Sequence, residues 1–190
     1  MKSQNIILAG VGGQGTILAS KVLADVAMIE GYDVKISEIH GMAQRGGSVI
    51  THVKFAAKVN SPLIENGQAD YIIAFELLEA LRRLHFLKDG GEIIVNEQRI
   101  DPMTVITGRS EYPEGIVKEL NKKAKVRTMK ALDMAKELGN VRVVNIIMLG
   151  YLASKMDIKI EHWHQAMKNQ IKERFIDLNL KAFDLGYNIQ

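Results

Sequence analysis

The chain of 190 residues contains no cysteine. This absence excludes disulfide bonds, thiolate nucleophiles and cysteine-based zinc sites, and it removes the ligands that iron–sulfur clusters usually require. We therefore expect any such cluster to lie on another chain. Proline is also scarce, with three residues, and no segment is dominated by glycine, serine or like charges, so nothing indicates a long linker or a disordered tail.

The sequence has no large excess of charge and no long apolar run. Its formal charge is +3, and aromatic residues make up 6%, whereas nucleic-acid binders usually gather cations and aromatic side chains on one face. No stretch approaches the ~20 apolar residues that span a bilayer, and the run at residues 6–9 is too short for a signal-peptide core. We expect a cytoplasmic protein without a membrane or nucleic-acid partner.

Apolar strand patterns alternate with helical patterns along the chain. Strands are predicted at 5–9, 33–39, 48–55, 70–75, 92–96 and 125–129, and the main helices at 16–30, 77–88, 131–138, 143–155 and 161–185. The length suits a single domain over residues 1–190. We predict a three-layer α/β/α fold with a mostly parallel, doubly wound sheet and a helical C-terminal segment. The first two strands should be adjacent, as in a βαβ unit.

A G-x-G-x-x-G loop stands between the first predicted strand and the first predicted helix. Glycine permits positive φ and close backbone approach, and the amides of a helix N-terminus attract anions. The alternative is that the glycines only make a tight turn. We predict that the following loop residues bind a cofactor: Gly10, Gly12, Gly13, Gln14 and Gly15.

Taken alone, this loop would indicate a free-standing NAD(P)-dependent dehydrogenase. Glu38 stands about where the acidic ribose ligand of a dinucleotide fold falls. However, 190 residues leave little room for a substrate domain beside such a fold. Glu38 also belongs to an unusual segment that indicates another role.

This segment, residues 37–49, reads SEIHGMAQRGGSV and is the most specific part of the sequence. It combines His40, Arg45, Gly46 and Gly47 in one loop, which a merely solvated connection has little reason to do. Ligands of open α/β sheets bind at the carboxyl ends of the strands. We therefore expect the two glycine loops to emerge there side by side and to form one polar wall.

The run HGMAQRGG at residues 40–47 resembles the gamma-type subunits of 2-oxoacid:ferredoxin oxidoreductases, and especially the smaller, beta subunits of the indolepyruvate enzymes. Similar family-like runs are NIIMLG at residues 145–150 and NLKAFDLG at residues 179–186. The resemblance thus extends over essentially the whole chain.

The resemblance implies a division of labour between subunits. The larger subunit would hold thiamine diphosphate and the [4Fe–4S] clusters, and this chain would hold no cofactor alone. The implied reaction is the oxidative decarboxylation of indolepyruvate or another arylpyruvate, with coenzyme A as co-substrate and ferredoxin as electron acceptor. The products would be an aryl-acetyl-CoA, carbon dioxide and reduced ferredoxin.

Within that interpretation, Arg45 and His40 are the predicted catalytic residues. The planar guanidinium of Arg45 suits a substrate carboxylate or a phosphate of coenzyme A, although it could instead pair with Glu38. His40 could donate a hydrogen bond or carry a proton, or it could simply pack at the end of its strand. Gly46 and Gly47 complete the predicted cofactor-binding set.

No metal site is predicted. His162 and His164 are two positions apart on a predicted helix and face different directions, so they cannot share a metal as an i, i+4 pair can. Besides the subunit and the dehydrogenase, a third interpretation stays open, namely a non-catalytic module that binds a nucleotide or coenzyme A.

Overall fold

Six strands form one sheet in the computed structural model of the chain, which describes residues 3–41 and 46–189. The strands are β1 (Gln4–Val11), β2 (Asp33–His40), β3 (Ser48–Ala56), β4 (Ala69–Ala74), β5 (Leu87–Asn96) and β6 (Lys125–Met129). Apart from the half-buried Tyr71 and Leu87, the apolar residues of β1, β4 and β5 are buried on both faces, as expected for central strands covered by helices on each side.

The strand order across the sheet is β2-β3-β1-β4-β5-β6. Strands β1, β4, β5 and β6 are parallel, whereas β3 is antiparallel to both β1 and β2. The predicted mostly parallel sheet is confirmed, but the expectation that β1 and β2 are adjacent is wrong. Residues 41–47 are too few for a parallel crossover, which needs about a dozen or more, so the chain returns as a hairpin and β3 inserts between them.

The described helices lie on both faces of this sheet, which confirms the three-layer architecture. They are α1 (Thr16–Ile29), α2 (Leu77–Arg83), α3 (Met103–Ile106), α4 (Ile116–Asn121), α5 (Ala131–Glu137), α6 (Val144–Ala153), α7 (Ile160–Gln170) and α8 (Ile176–Tyr187). One apolar core joins the sheet to α1 and α5–α8, and a second joins it to α2 and α4.

Two predicted helices end earlier than their sequence patterns suggest. The helix expected over 161–185 is divided into α7 and α8, because Ile171 and Lys172 are extended and a 3₁₀ turn follows at Glu173–Phe175. No glycine or proline marks this break, and Ile171 turns into the core instead. Likewise α2 ends at Arg83, since Leu87 pairs with β4 as the first residue of β5.

Helices α6 and α8 cross at two glycines. A Cβ atom on Gly186 would lie 1.9 Å from the carbonyl oxygen of Ile147, and one on Gly150 would lie 2.1 Å from that of Phe183. Only glycine permits such backbone contact. The crossing keeps α6 buried along its whole length and brings its N-terminal turn to the carboxyl end of the sheet, beside the first glycine loop.

Candidate functional site

The first glycine loop connects β1 to α1. Gly13 and Gly15 have φ values of +104° and +81°, which side chains with a Cβ atom rarely adopt. Gly15 is the N-cap of α1, no side chain caps this helix, and its first turn carries no acidic residue. The first-turn amides therefore lack intrahelical acceptors, and the positive end of the helix dipole is not neutralised locally.

Gln14 fixes the shape of this loop through its side-chain amide. Its Oε1 accepts from the amide of Val11 at 2.7 Å, and its Nε2 donates to the carbonyl of Phe75 at 3.0 Å and to Oε1 of Gln98 at 3.3 Å. A Cβ on Gly10 would lie 2.9 Å from Gln14 Oε1, so Gly10 makes room for this contact. Direct ligand contacts of Gly10 and Gln14 stay predictions.

The two glycine loops are hydrogen-bonded to each other. The amide of Gly12 donates to the carbonyl of Gly47 at 2.8 Å, and the amide of Gly46 donates to the carbonyl of Gly12 at 3.4 Å. These bonds continue the β1–β3 ladder, in which Val11 pairs with Ser48. The two loops thus lie side by side as expected, although β3, and not β2, provides the neighbouring strand.

A cavity of about 240 Å³ opens on the β2 side of the first loop. His40 is exposed there, with Nδ1 3.3 Å from the carbonyl oxygen of Gly41, and Glu38 accepts from Thr51 Oγ1 at 3.3 Å. The cavity brings the predicted residues Gly12, Gly13 and His40 to one surface. Its lining is Gly12, Gly13, Thr16, Ile17, Glu38, His40 and Val49.

A second cavity, of about 390 Å³, lies on the other side of the same loop. Gly13 borders both cavities, and a Cβ at this position would meet nothing within 4 Å. Arg142 is the cationic residue of the lining, and Asn145 Nδ2 donates to the carbonyl of Gly15 at 3.0 Å. Sequence reasoning missed Arg142, because a single cation before a helix gives no distinctive signal.

Two buried acids, Glu76 and Glu79, lie at the start of α2 beside the carboxyl end of β4, and each is 1% exposed. Glu76 caps the helix by accepting from the amide of Glu79 at 3.0 Å and also accepts from the hydroxyl of Tyr112. Burial and then the hydrogen bond to Glu76 raise the pKa of the Tyr112 phenol far above its ordinary range. Sequence reasoning also missed these acids, since their partners are remote in the chain.

Arg45 lies outside the described residues.

Within the described ranges, no group of three or more His, Asp or Glu side chains could hold a metal ion. His162 pairs with Glu30 and His164 with Asp184, so these two imidazoles point to different elements. Among the helices of the described ranges, none combines the length and apolarity that a membrane crossing requires.

The fold and the paired loops define an α/β protein with two cavities beside the loops at the carboxyl ends of its strands. The family model for pyruvate ferredoxin/flavodoxin oxidoreductase matches residues 5–189. The chain belongs to this family.

Individual relatives agree with that membership. The chain is 42% identical to the indolepyruvate oxidoreductase subunit IorB of Archaeoglobus fulgidus, covering 97% of this chain and 94% of the relative. It is 28% identical to the common gamma subunit of the pyruvate/ketoisovalerate oxidoreductases of Thermococcus litoralis, covering 91% and 89%. The gamma subunit of the Geobacter sulfurreducens keto/oxoacid ferredoxin oxidoreductase has the same fold, with a TM-score of 0.72, 24% identity and coverage of 97% and 96%.

Proposed function

We propose that the chain is the smaller subunit of a cytoplasmic indolepyruvate:ferredoxin oxidoreductase. The observation that carries this proposal is the 42% identity to an indolepyruvate oxidoreductase subunit over nearly the whole of both chains, compared with 28% for a pyruvate/ketoisovalerate subunit. The complete enzyme would convert an arylpyruvate and coenzyme A to an aryl-acetyl-CoA and carbon dioxide, passing the electrons to ferredoxin.

The residues of this chain do not fit an iron–sulfur cluster, because no cysteine is present. In the proposed enzyme, the larger subunit holds thiamine diphosphate and the [4Fe–4S] clusters, and these groups supply the carbanion chemistry and electron transfer. The role of this chain would be to bind an anionic part of a substrate, to orient the substrate and to exclude water from the active site.

The paired glycine loops are suited to binding that anion. Gly13 is open to both cavities, and the uncapped first turn of α1 presents amide groups beside it. We propose that Gly12, Gly13, Gly15, Gly46 and Gly47 form the backbone wall of a coenzyme A phosphate site. The phosphate would accept from the first-turn amides of α1, because the amides of Gly12 and Gly46 bond between the two loops. Gly10 and Gln14 would set the loop's shape.

Two side chains complete the proposed site. Arg45, in the second loop, would pair with a phosphate of coenzyme A or with the arylpyruvate carboxylate. His40, exposed at the mouth of the smaller cavity, would donate a hydrogen bond to the same anion. The larger subunit would complete this active site.

A free-standing dehydrogenase is less well supported by the geometry. The insertion of β3 moves Glu38 one strand further from the first loop, a step of roughly 4.8 Å. In addition, the amide of Gly12, which would face a pyrophosphate in a dinucleotide fold, is bonded to Gly47. The third alternative, a non-catalytic module for a nucleotide or coenzyme A, is distinguished by experiment.

Affinity capture of the tagged chain from its native host under anaerobic conditions tests the proposal. We expect a larger, cysteine-rich partner in the mass spectrum and iron–sulfur absorption in the visible spectrum. Capture of the chain alone and colourless, together with NAD(P)H binding in a fluorescence titration, would favour the dehydrogenase. Coenzyme A binding without any partner would favour the isolated module.

A further inference from the structure

A partly buried cluster of polar side chains adjoins the second glycine loop. Ser48 is the first residue of β3 and follows Gly47. Its hydroxyl donates to Glu79 Oε2 at 2.5 Å and accepts from Arg83 Nη2 at 2.7 Å. Both hydrogen-bonding capacities of the hydroxyl are therefore engaged by side chains of α2, which fixes its orientation.

Two guanidinium groups lie beside the Glu79 carboxylate. Arg82 Nη1 lies 2.6 Å from Oε1, and Arg83 Nη2 lies 3.6 Å from Oε2. Burying a carboxylate is costly unless it is paired and hydrogen-bonded, and replacing such a pair with apolar residues often costs nothing. Glu79 is buried, whereas the side chains of Arg82 and Arg83 are 40% and 22% exposed. The cluster therefore joins α2 to Ser48 through directional contacts, which an apolar pair would not provide.

The geometry that this cluster fixes is the meeting point of the two loops. Ser48 pairs with Val11 in the sheet, and the preceding residue, Gly47, accepts the bond from Gly12. Gly46 has a φ of +75°, and a glycine pair restrains the backbone weakly. Ser48 is thus the first residue after the glycine pair that has a side chain to anchor, and Glu79 and Arg83 anchor it.

We propose that Glu79, Ser48 and Arg83 form a positioning unit that sets Gly46 and Gly47 of the second glycine loop against the first glycine loop. The placement of the loop is inferred from the hydrogen bonds alone. Its connection with catalysis rests on the proposed function, which gives Arg45 its role. None of the three residues is assigned contact with a substrate.

The neighbouring acid Glu76 provides a matched comparison. It is as buried as Glu79, and it accepts from the amides of Glu79 and Ile100 and from the Tyr112 hydroxyl. These bonds cap α2 and tie down the segment after β5, away from Ser48. Tyr112→Phe therefore removes one hydrogen bond from an equally buried acid without touching the second loop.

Hydrogen exchange of the full-length chain, read by mass spectrometry, tests the structural part. The amides of Gly12 and Gly46, which join the two loops, should exchange about tenfold or more faster in Ser48→Ala and Glu79→Gln, since each change removes a charge-assisted hydrogen bond. Ser48→Thr keeps a hydroxyl and should restore slow exchange, and Tyr112→Phe should leave these amides unchanged. Unaltered exchange in Ser48→Ala would overturn the positioning unit, even if Glu79→Gln fails to fold.

Kinetics of the enzyme assembled with its larger subunit test the link to Arg45. Ser48→Ala should raise KM for the same anionic substrate as Arg45→Ala does, but by a smaller factor. The double variant should have a KM for that substrate no higher than that of Arg45→Ala alone. If Ser48→Ala speeds exchange while Arg45→Ala leaves turnover intact, the positioning unit stands and the assigned role of Arg45 is wrong. If Arg45→Ala impairs turnover while Ser48→Ala changes neither exchange nor KM, the proposed function stands and the positioning unit is wrong.

Discussion

The amide nitrogen of Gly12 lies 2.8 Å from the carbonyl oxygen of Gly47 and donates a hydrogen bond to it. This bond joins two glycine motifs that are remote in sequence into one backbone surface at the carboxyl end of the sheet. It also engages one amide of the first loop within the protein, so that this amide is not available to a ligand.

The two positive-φ glycines of the first loop should differ in their tolerance of alanine. Both substitutions place a Cβ in a strained backbone conformation, at about 1–2 kcal/mol. At Gly15 the new Cβ would also lie 2.5 Å from Asn145 Nδ2, whereas at Gly13 it meets nothing within 4 Å. We expect Gly15→Ala to lower the free energy of unfolding by roughly 1–3 kcal/mol more than Gly13→Ala.

Urea denaturation of the two variants measures this difference. Adding Asn145→Ala to Gly15→Ala should restore part of the additional loss in the free energy of unfolding, because it removes the side-chain amide that clashes with the new Cβ. The recovery is partial, since the hydrogen bond from Asn145 to the carbonyl of Gly15 is lost as well. Equal losses for Gly13→Ala and Gly15→Ala would contradict the packing of Asn145 against the loop.

Gly186 should not accept alanine, although alanine is the better helix former by about 1 kcal/mol. The added Cβ would lie 1.9 Å from the carbonyl oxygen of Ile147, so α8 would have to move away from α6. We expect Gly186→Ala to lower the free energy of unfolding by roughly 3 kcal/mol or more. Leu185→Ala, at a position 38% exposed on the same helix, should cost less than about 1 kcal/mol; similar losses in thermal unfolding would argue against the close helix crossing.

His52 should make the protein less stable in acid. The residue is 3% exposed, and its Nδ1 accepts from the amide of Ile64 at 3.1 Å. Burial followed by the charge of Arg83 lowers its pKa. A lowered folded-state pKa means that the unfolded chain takes up the proton first. The stability that the neutral His52 contributes to the fold is therefore fully present above about pH 6.5, and it is lost as the pH falls below that value.

Chemical denaturation between pH 7.5 and 5 measures this effect. His52→Asn, which retains an acceptor for Ile64, should be less stable at neutral pH but should lose less stability on acidification. His85→Asn removes an exposed imidazole and serves as the control, with a pH dependence like that of the wild type. An unchanged acid response in His52→Asn would rule out His52 as its source.

Replacement of Arg45 should weaken turnover without affecting the fold. Loss of a charged hydrogen bond of about 1.5–3 kcal/mol corresponds to a decrease of roughly 10–100-fold in kcat/KM. Arg109→Ala removes an exposed arginine that lines neither cavity of the candidate site and should leave kcat/KM unchanged. Steady-state kinetics with coenzyme A and indolepyruvate varied in turn would show which of the two Arg45 binds. Full activity of Arg45→Ala would remove Arg45 from the site.

Much of the fold could be predicted because its signals are local. The apolar run before Gly10, the helical spacing that starts at Thr16 and the alternation from Ser48 to Phe55 each follow from neighbouring residues. The proximity of the two glycine loops was also predictable, since strands of an α/β sheet present their carboxyl ends to the same crevice. Residues 40–47, which include the second glycine loop, also carried the clearest resemblance to a known family.

The remaining features depend on contacts between distant residues. The place of β3 between β1 and β2 is decided by pairing along its whole length, such as Ile50 with Ala9 on one side and Ile39 on the other. Glu79 and Ser48 are 31 residues apart in the sequence and are brought together by the tertiary fold. The break between α7 and α8 accompanies the burial of Ile171. No glycine or proline at this point of the sequence predicts it.

Turnover by the purified larger subunit, with and without this chain, tests the central claim most directly. Ferredoxin reduction would be followed anaerobically with coenzyme A and either indolepyruvate or pyruvate as substrate. We predict rapid reduction only when both subunits are present, with indolepyruvate strongly preferred. Equal activity of the larger subunit alone, or reduction with pyruvate but not with indolepyruvate, would contradict the assignment of this chain as a subunit of an indolepyruvate:ferredoxin oxidoreductase.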